Sequence, residues 1–107
     1  MAKISSYKEL KIWQNSIELA ETIYRLCNLL PRSKQCGLIS QMQRDAVSVC
    51  SNIAEGHNRG STKEFIYFIR IALGALAEIE TQVILCERLG YFLPSKMLLG
   101  SYRNAIA

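Results

Sequence analysis

The sequence predicts an all-α protein, specifically an up-down-up-down four-helix bundle with a short fourth helix. Apolar residues recur at intervals of three and four through most of the 107 residues, which is the spacing of one helical face. Only two prolines and six glycines interrupt the chain, and they cluster at a few places. The connections between the periodic segments are short, so neighbouring helices should run antiparallel. Residues 1–107 are too few for two cores and are predicted to form a single domain.

The first predicted helix runs from about Tyr7 to Leu30, and Pro31 ends it. Its apolar residues form two adjacent stripes. One wide inner face would explain both stripes, and a second buried surface between subunits is the alternative. The first stripe is Leu10, Trp13, Ile17, Ala20, Tyr24 and Cys27, and the second is Ile12, Leu19, Ile23, Leu26 and Leu30.

The second predicted helix runs from about Ser33 to Glu55, and a polar, glycine-bounded turn over residues 56–60 follows it. A capping box at Ser61 and Glu64 opens the third helix, in which the serine side chain accepts from the backbone N–H of Glu64.

The third helix should end near Leu89, with Gly90 as the first residue beyond its C-cap. Pro94 sits at a typical early position for a fourth helix, which would run from Ser95 to about Ile106 and is short beside the other three.

The residues available for chemistry argue against an enzyme. A hydrolytic site needs a nucleophile, a base and an orienting partner, and the single histidine, His57, lies in the polar turn without a fixed partner. The four cysteines contain no CxxC pair, and Glu78 and Glu80 are two residues apart and so point from different helical faces. We therefore expect a non-enzymatic protein with no metal and no cofactor. A large pocket with converging polar groups would favour an enzyme instead.

The chain shows neither a hydrophobic N-terminal signal nor an apolar run long enough to cross a bilayer. The expected location is cytoplasmic, with reduced thiols and no membrane partner.

Basic charge is concentrated in the middle of the chain. The formal net charge is +4, and residues 31–70 carry six basic and three acidic side chains. Arg32 and Lys34 lie at one end of the second predicted helix, and Arg59 and Lys63 lie at the other. Each pair could contact phosphates, although ordinary solvated charge at helix ends explains them equally well. RNA or DNA binding is thus one hypothesis, and a protein-interaction scaffold without nucleic-acid binding is the alternative.

Aromatic platforms for single strands are not evident in the sequence. Phe65, Tyr67 and Phe68 are interpreted as core and rim residues of the third helix.

Polar residues interrupt the apolar faces of the second and third helices. Arg44 does so in the second helix, and Glu78 and Gln82 do so in the third. A network of Arg44, Glu55 and Glu78 between these helices would explain them, and it would fix register more than it would add stability. Direct contact of Arg44 with RNA is the alternative.

Six stretches follow one another over nearly the whole chain: residues 7–14, 41–49, 51–56, 63–68, 72–82 and 89–91. In this order they resemble the 23S rRNA-intervening-sequence protein family. The resemblance implies a four-helix subunit without enzymatic activity. Relatives include the accessory protein of diversity-generating retroelements, which implies a homopentamer that binds nucleic acid and a protein partner. Asp45 departs from the alanine expected there, and the fourth helix is shorter than usual.

Overall fold

The computed structural model describes residues 6–30 and 32–91, with the backbone alone for residues 32–36. Within these ranges a short 3-10 turn, Tyr7–Glu9, precedes three helices: α1 (Lys11–Cys27), α2 (Arg32–Asn58) and α3 (Thr62–Arg88). All regular secondary structure in the described ranges is helical, which confirms the all-α prediction. No helix there combines the length and hydropathy that a bilayer crossing requires. The predicted fourth helix, residues 95–106, lies outside the described residues.

The first helix begins later than predicted. Leu10 has an extended backbone (φ −72°, ψ 127°) and separates the 3-10 turn from α1. Ser6 Oγ caps the turn by accepting from the Lys8 N–H at 3.2 Å, and Gln14 Nε2 of α1 donates to the Lys8 carbonyl oxygen at 3.0 Å. The backbone before α1 is thus satisfied by local hydrogen bonds, although its geometry is not α-helical.

The turn between α2 and α3 lies further along the chain than predicted. The prediction that the helix breaks at Gly56 was wrong, since α2 continues to Asn58, and the reversal takes place at Gly60, whose φ of +81° favours glycine. Gly56 is needed for packing instead. A Cβ added there would lie 2.8 Å from Phe68 Cβ and 3.3 Å from the Phe65 carbonyl oxygen, so α2 and α3 meet closely at this point.

The serine half of the capping box predicted at the start of α3 is present, and Glu64 reaches back to the Ser61 hydroxyl rather than to its backbone N–H. Ser61 Oγ accepts from the Glu64 N–H at 3.2 Å, and the hydroxyl lies 3.1 Å from Glu64 Oε1, to which it can donate. These bonds fix the first turn of α3 immediately after the chain reversal.

The prediction that Gly90 follows the C-cap of α3 is confirmed. Gly90 has a φ of +79°, and its N–H donates to the Glu87 carbonyl oxygen at 3.0 Å. The Tyr91 N–H donates to the Cys86 carbonyl oxygen at 3.0 Å, which completes a Schellman motif. These bonds satisfy carbonyl groups that the end of the helix would otherwise leave unpaired.

The core lies along α2, which packs against both α1 and α3, whereas α1 and α3 make no close backbone approach to each other within the described residues. Leu19, Ile23 and Leu30 of the second stripe of α1 are buried in this core, whereas Cys27 is the only buried residue of the first stripe and Tyr24 is exposed. The second stripe is therefore the more deeply buried of the two, although both contact the core. The largest fully buried core side chains are Leu19, Ile23, Met42, Val49, Ile53, Leu76, Ile79, Val83 and Cys86.

Replacing Gly56 with alanine should destabilise the fold, because the added methyl group would force α2 and α3 apart. Overpacking of this kind costs about 1–3 kcal/mol in the free energy of unfolding. Gly37→Ala is the matched control in the same helix, since no atom lies within 4 Å of its added Cβ. The control should stabilise by up to about 1 kcal/mol. Urea denaturation followed by far-UV circular dichroism measures the free energy of unfolding of both variants. Equal changes in Gly56→Ala and Gly37→Ala would contradict the close approach of α2 and α3 at Gly56.

Candidate nucleic-acid interface

Arg59 lies at the turn between α2 and α3, where its side chain contacts Glu55 and Phe68. Arg59 Nε donates to Glu55 Oε2 at 3.0 Å, and the two side chains are 48% and 50% exposed. The guanidinium carbon also lies 5.1 Å from the centroid of the Phe68 ring. An exposed ion pair of this kind adds little stability. The terminal guanidinium nitrogens can still donate to a further acceptor such as phosphate.

Lys63 and Arg70 are exposed on α3 close to the same turn. Neither makes a hydrogen bond or ion pair within the described part of the chain. They are seven residues apart, so they share one side of the helix. Sequence reasoning selected Lys63 and passed over Arg70, although that spacing places both cations on one face.

Arg32 and Lys34 lie in the first turn of α2, and their side chains are outside the described residues. The α2 helix places them at its opposite end from Arg59, about 40 Å away by the rise of an α-helix. The four predicted nucleic-acid contacts therefore form two separate pairs within one subunit.

Tyr67 is exposed between Lys63 and Arg70, which differs from its interpretation as a core or rim residue. Its ring packs edge-to-face on Phe68, with centroids 5.1 Å apart and an interplanar angle of 87°. Phe65 and Phe68 are half-buried against Gly56. The aromatic residues near the turn thus divide into two that face α2 and one that faces solvent.

The structure does not bring Arg44, Glu55 and Glu78 together. Arg44 is exposed, and it lies about 16 Å along α2 from Glu55 by the rise of the helix. Glu55 pairs with Arg59, and Glu78 lies beside Asp45. No ion pair within the described residues involves Arg44.

A different polar cluster connects α2 and α3, and it centres on Asp45, which is only 7% exposed. Asp45 Oδ2 accepts from Gln82 Nε2 at 2.9 Å, and both carboxylate oxygens accept from Gln41 Nε2 at 3.3 and 3.4 Å. Sequence reasoning singled out Gln82 and Glu78 as polar interruptions of α3, but it placed Glu78 in a network with Arg44 and Glu55 and did not consider Asp45 as the partner. Adjacent positions on a helix point about 100° apart, so Asp45 faces α3 whereas Arg44 faces solvent.

Glu78 shares this cluster with Asp45. A side-chain hydrogen bond to Asp45 raises the pKa of Glu78, and repulsion between the two carboxylates raises it further. Glu78 is therefore protonated more readily than an isolated glutamate.

An open groove of about 500 Å³ lies between α1 and α2. Tyr24 and Val47 are exposed along it, and they belong to the first stripe of α1 and the outer side of α2. This is the surface of α1 that the core does not bury. Its lining is Ile17, Ala20, Glu21, Tyr24, Arg25, Val47 and Cys50.

The cysteines of the described residues are buried free thiols: Cys27, Cys50 and Cys86. Burial, together with the nearby Cys86, raises the pKa of Cys27 to about 11, and burial also raises the pKa of Cys50 and Cys86. A thiol with a raised pKa is a poor nucleophile at neutral pH. His57, predicted in a turn, lies instead in the last turn of α2 and is half-buried. The described residues contain no group of three or more His, Cys, Asp or Glu side chains arranged to hold a metal ion.

In a comparison with known families, the family model of the 23S rRNA-intervening sequence protein matches residues 8–99 of the chain. The matched region includes all three helices and both sides of the α2–α3 turn. None of the curated proteins compared with the chain matches it significantly.

Replacing Glu78 with glutamine should stabilise the protein at neutral pH. The folded-state pKa of Glu78 is raised, so ionising Glu78 costs stability as the pH rises from its unfolded to its folded pKa. The glutamine removes this cost. Its advantage in the free energy of unfolding should therefore be present at pH 7 and should disappear in acid, where Glu78 is protonated in both states.

Urea denaturation across this pH range measures the difference between the two proteins. Glu18→Gln, at an exposed carboxylate of α1, is the control for removing a negative charge from a basic protein. If Glu78→Gln and Glu18→Gln change the free energy of unfolding by the same amount at every pH, the coupling of Glu78 to Asp45 is contradicted.

Proposed function

The chain belongs to the 23S rRNA-intervening sequence protein family, and on this basis we propose that it is a non-enzymatic, oligomeric accessory protein that binds RNA or DNA. The observation that carries the proposal is the group of cations at the α2–α3 turn. Lys63 and Arg70 are exposed there without a partner in the described residues, and Arg59 lies beside them. The family description supports RNA in particular, and binding to RNA would take place in the cytoplasm.

Phosphate contacts by these cations would supply affinity without reading sequence. Arg59 already shares its charge with Glu55, so its contribution should be smaller than that of Lys63. Arg32 and Lys34 would add a second contact region at the far end of α2. A duplex or a folded RNA long enough to reach both ends would engage both regions.

We further propose that the subunit is an up-down-up-down four-helix bundle, with residues 95–106 as the fourth helix. The positions of α1 and α3 support this architecture. They flank α2 without a close backbone approach to each other, as helices on the diagonal of a bundle do. A fourth helix would then pack between α1 and α3.

The proposed self-association, with five subunits by family resemblance, would use the groove between α1 and α2. Tyr24 and Val47 expose apolar surface there that a second copy of the chain could cover. The same groove also supports the alternative function, a protein-interaction scaffold that binds no nucleic acid.

Replacing Arg32, Lys34, Arg59 and Lys63 together with alanine should weaken binding to a structured RNA and flatten its salt dependence. Each lost phosphate contact removes roughly one unit from the slope of log K against log salt concentration. Fluorescence anisotropy at several salt concentrations measures both quantities.

The matched control replaces exposed cations elsewhere, with Lys8→Ala, Lys11→Glu and Arg88→Ala, which together also lower the net charge by four. The control and the test variant have the same net charge. If both lose the same affinity for RNA, the net charge rather than the four residues of the test variant determines binding. Wild-type protein that binds neither RNA nor duplex DNA even at low salt would reject the proposed function and favour the scaffold.

Val47→Glu should dissociate the oligomer, because it places a carboxylate within the proposed apolar contact. Light scattering coupled to size-exclusion chromatography should give a multiple of 12.1 kDa for the wild type and a smaller mass for the variant. Thr81→Glu, on the exposed side of α3, is the control and should keep the wild-type mass. A monomeric wild type at micromolar concentration would contradict self-association.

A further inference from the structure

We propose that Tyr67 is a stacking platform for an unpaired base, with Lys63 and Arg70 binding the phosphates on either side. The preferred ligand is then single-stranded nucleic acid, either a free strand or the loop of a folded RNA. This inference rests on the proposed function and makes it more specific, because phosphate contacts alone would not distinguish single strands from duplexes.

The three side chains form one stripe along α3. Tyr67 follows Lys63 by four residues and precedes Arg70 by three, and these are the intervals at which helical side chains are neighbours. The rise of the helix places the two cations about 10 Å apart along its axis, one on each side of the ring. A strand lying along the stripe would thus meet a cation, a ring and a second cation in succession.

Tyr67 is 61% exposed, although it stands in the second turn of a helix of 27 residues. Aromatic rings bury a large area when they pack, so leaving one in water forgoes a substantial stabilisation. The exposed surface of Tyr67 is therefore available to a ligand with a flat aromatic face.

Contacts with Phe68 restrict the orientation of the Tyr67 ring. Phe68 packs edge-to-face against Tyr67, and Phe68 is itself fixed between Gly56 of α2 and the guanidinium of Arg59. A ring held in advance loses less freedom when a base stacks on it. The contact also brings Arg59, a third cation, close to the stripe.

The charges near the stripe are positive on balance. Glu55 is paired with Arg59, and Glu64 keeps its negative charge in its hydrogen bond with Ser61. The three cations Arg59, Lys63 and Arg70 outnumber these two carboxylates, which suits a polyanion.

The surface beyond Arg70 can accommodate the strand as it continues. Gly74 lies on the same side of α3 one turn further, and no atom lies within 4 Å of the Cβ that another residue would place there. A backbone or a base can approach the helix closely at this position.

A protein partner is the less favoured occupant. Ile66 and Ile71 are exposed on either side of the tyrosine and could belong to a protein interface. However, lysine is depleted from the cores of protein interfaces, and covering this stripe would remove two cations from water.

The test compares wild type, Tyr67→Leu and Tyr67→Phe for binding to a labelled single-stranded oligouridine RNA and to a blunt-ended RNA duplex of equal length. Leucine keeps an apolar side chain but removes the ring, whereas phenylalanine keeps the ring. We expect Tyr67→Leu to weaken single-strand binding roughly tenfold, in keeping with the usual contribution of one stacked base, and to leave duplex binding unchanged. Tyr67→Phe should bind like the wild type.

Leu85→Ala is the matched control on the same helix. Leu85 is 48% exposed and lies about five turns after Tyr67, so it projects from the same side of α3. The control should leave single-strand binding unchanged.

The possible failures are distinguishable. If Tyr67→Leu binds single-stranded RNA as tightly as the wild type does, the stacking platform is overturned and the proposed function stays intact. An equal loss on single strand and duplex also overturns it, because stacking requires an unpaired base. A changed oligomeric mass for Tyr67→Leu in light scattering overturns it by assigning the ring to a subunit contact. Wild type that binds no RNA at all overturns the proposed function itself.

Discussion

The close packing of α2 on α3 at Gly56 determines where the side chains of the α2–α3 turn can lie. Because Gly56 has no Cβ, Phe68 can pack directly against the α2 backbone. Phe68 in turn contacts the Arg59 guanidinium and the Tyr67 ring. The absence of a side chain at Gly56 therefore lets Phe68 support a cation and an aromatic ring at the surface, next to the first turn of α3, which contains Lys63.

Further along the two helices, a polar contact fixes how α2 and α3 align with each other. Asp45 is nearly buried and accepts hydrogen bonds from Gln41 within α2 and from Gln82 across to α3. A buried carboxylate adds little net stability, but its bond to Gln82 is lost if the helices slide past each other. Glu78 adds a second carboxylate at the same place, which makes this part of the interface sensitive to pH. The α2–α3 pair is thus registered by apolar contact near the turn and by hydrogen bonds several turns away.

The sequence predicted the features that depend on local chemistry. The Ser61 cap and the Gly90 terminus were predictable because each requires a particular residue type at a particular offset from its own helix. Gly56 could not be assigned in this way, since a glycine before a polar segment is consistent both with a turn and with a close approach by another helix. The motif stretches resembling the family were sufficient for its assignment, which the match over residues 8–99 confirms.

The candidate site was predictable only in part, for a related reason. Periodicity identifies which residues share a helical face, but the neighbours of that face depend on how the helices pack. Asp45 rather than Arg44 meets α3 because the crossing of the two helices selects one side of α2. Tyr67 is exposed for the same reason, since α2 covers Phe68 and leaves the adjacent residue outside.

The most direct test of the account is to irradiate the wild-type protein bound to single-stranded RNA with ultraviolet light and to identify the crosslinked peptide by mass spectrometry. Trypsin cuts after Lys63 and Arg70, so Tyr67 is released in the peptide of residues 64–70. The account predicts that the crosslinked nucleotide is found in this peptide, on Tyr67. Crosslinks confined to other parts of the chain would contradict it, as would the absence of any crosslink under conditions in which the RNA is bound.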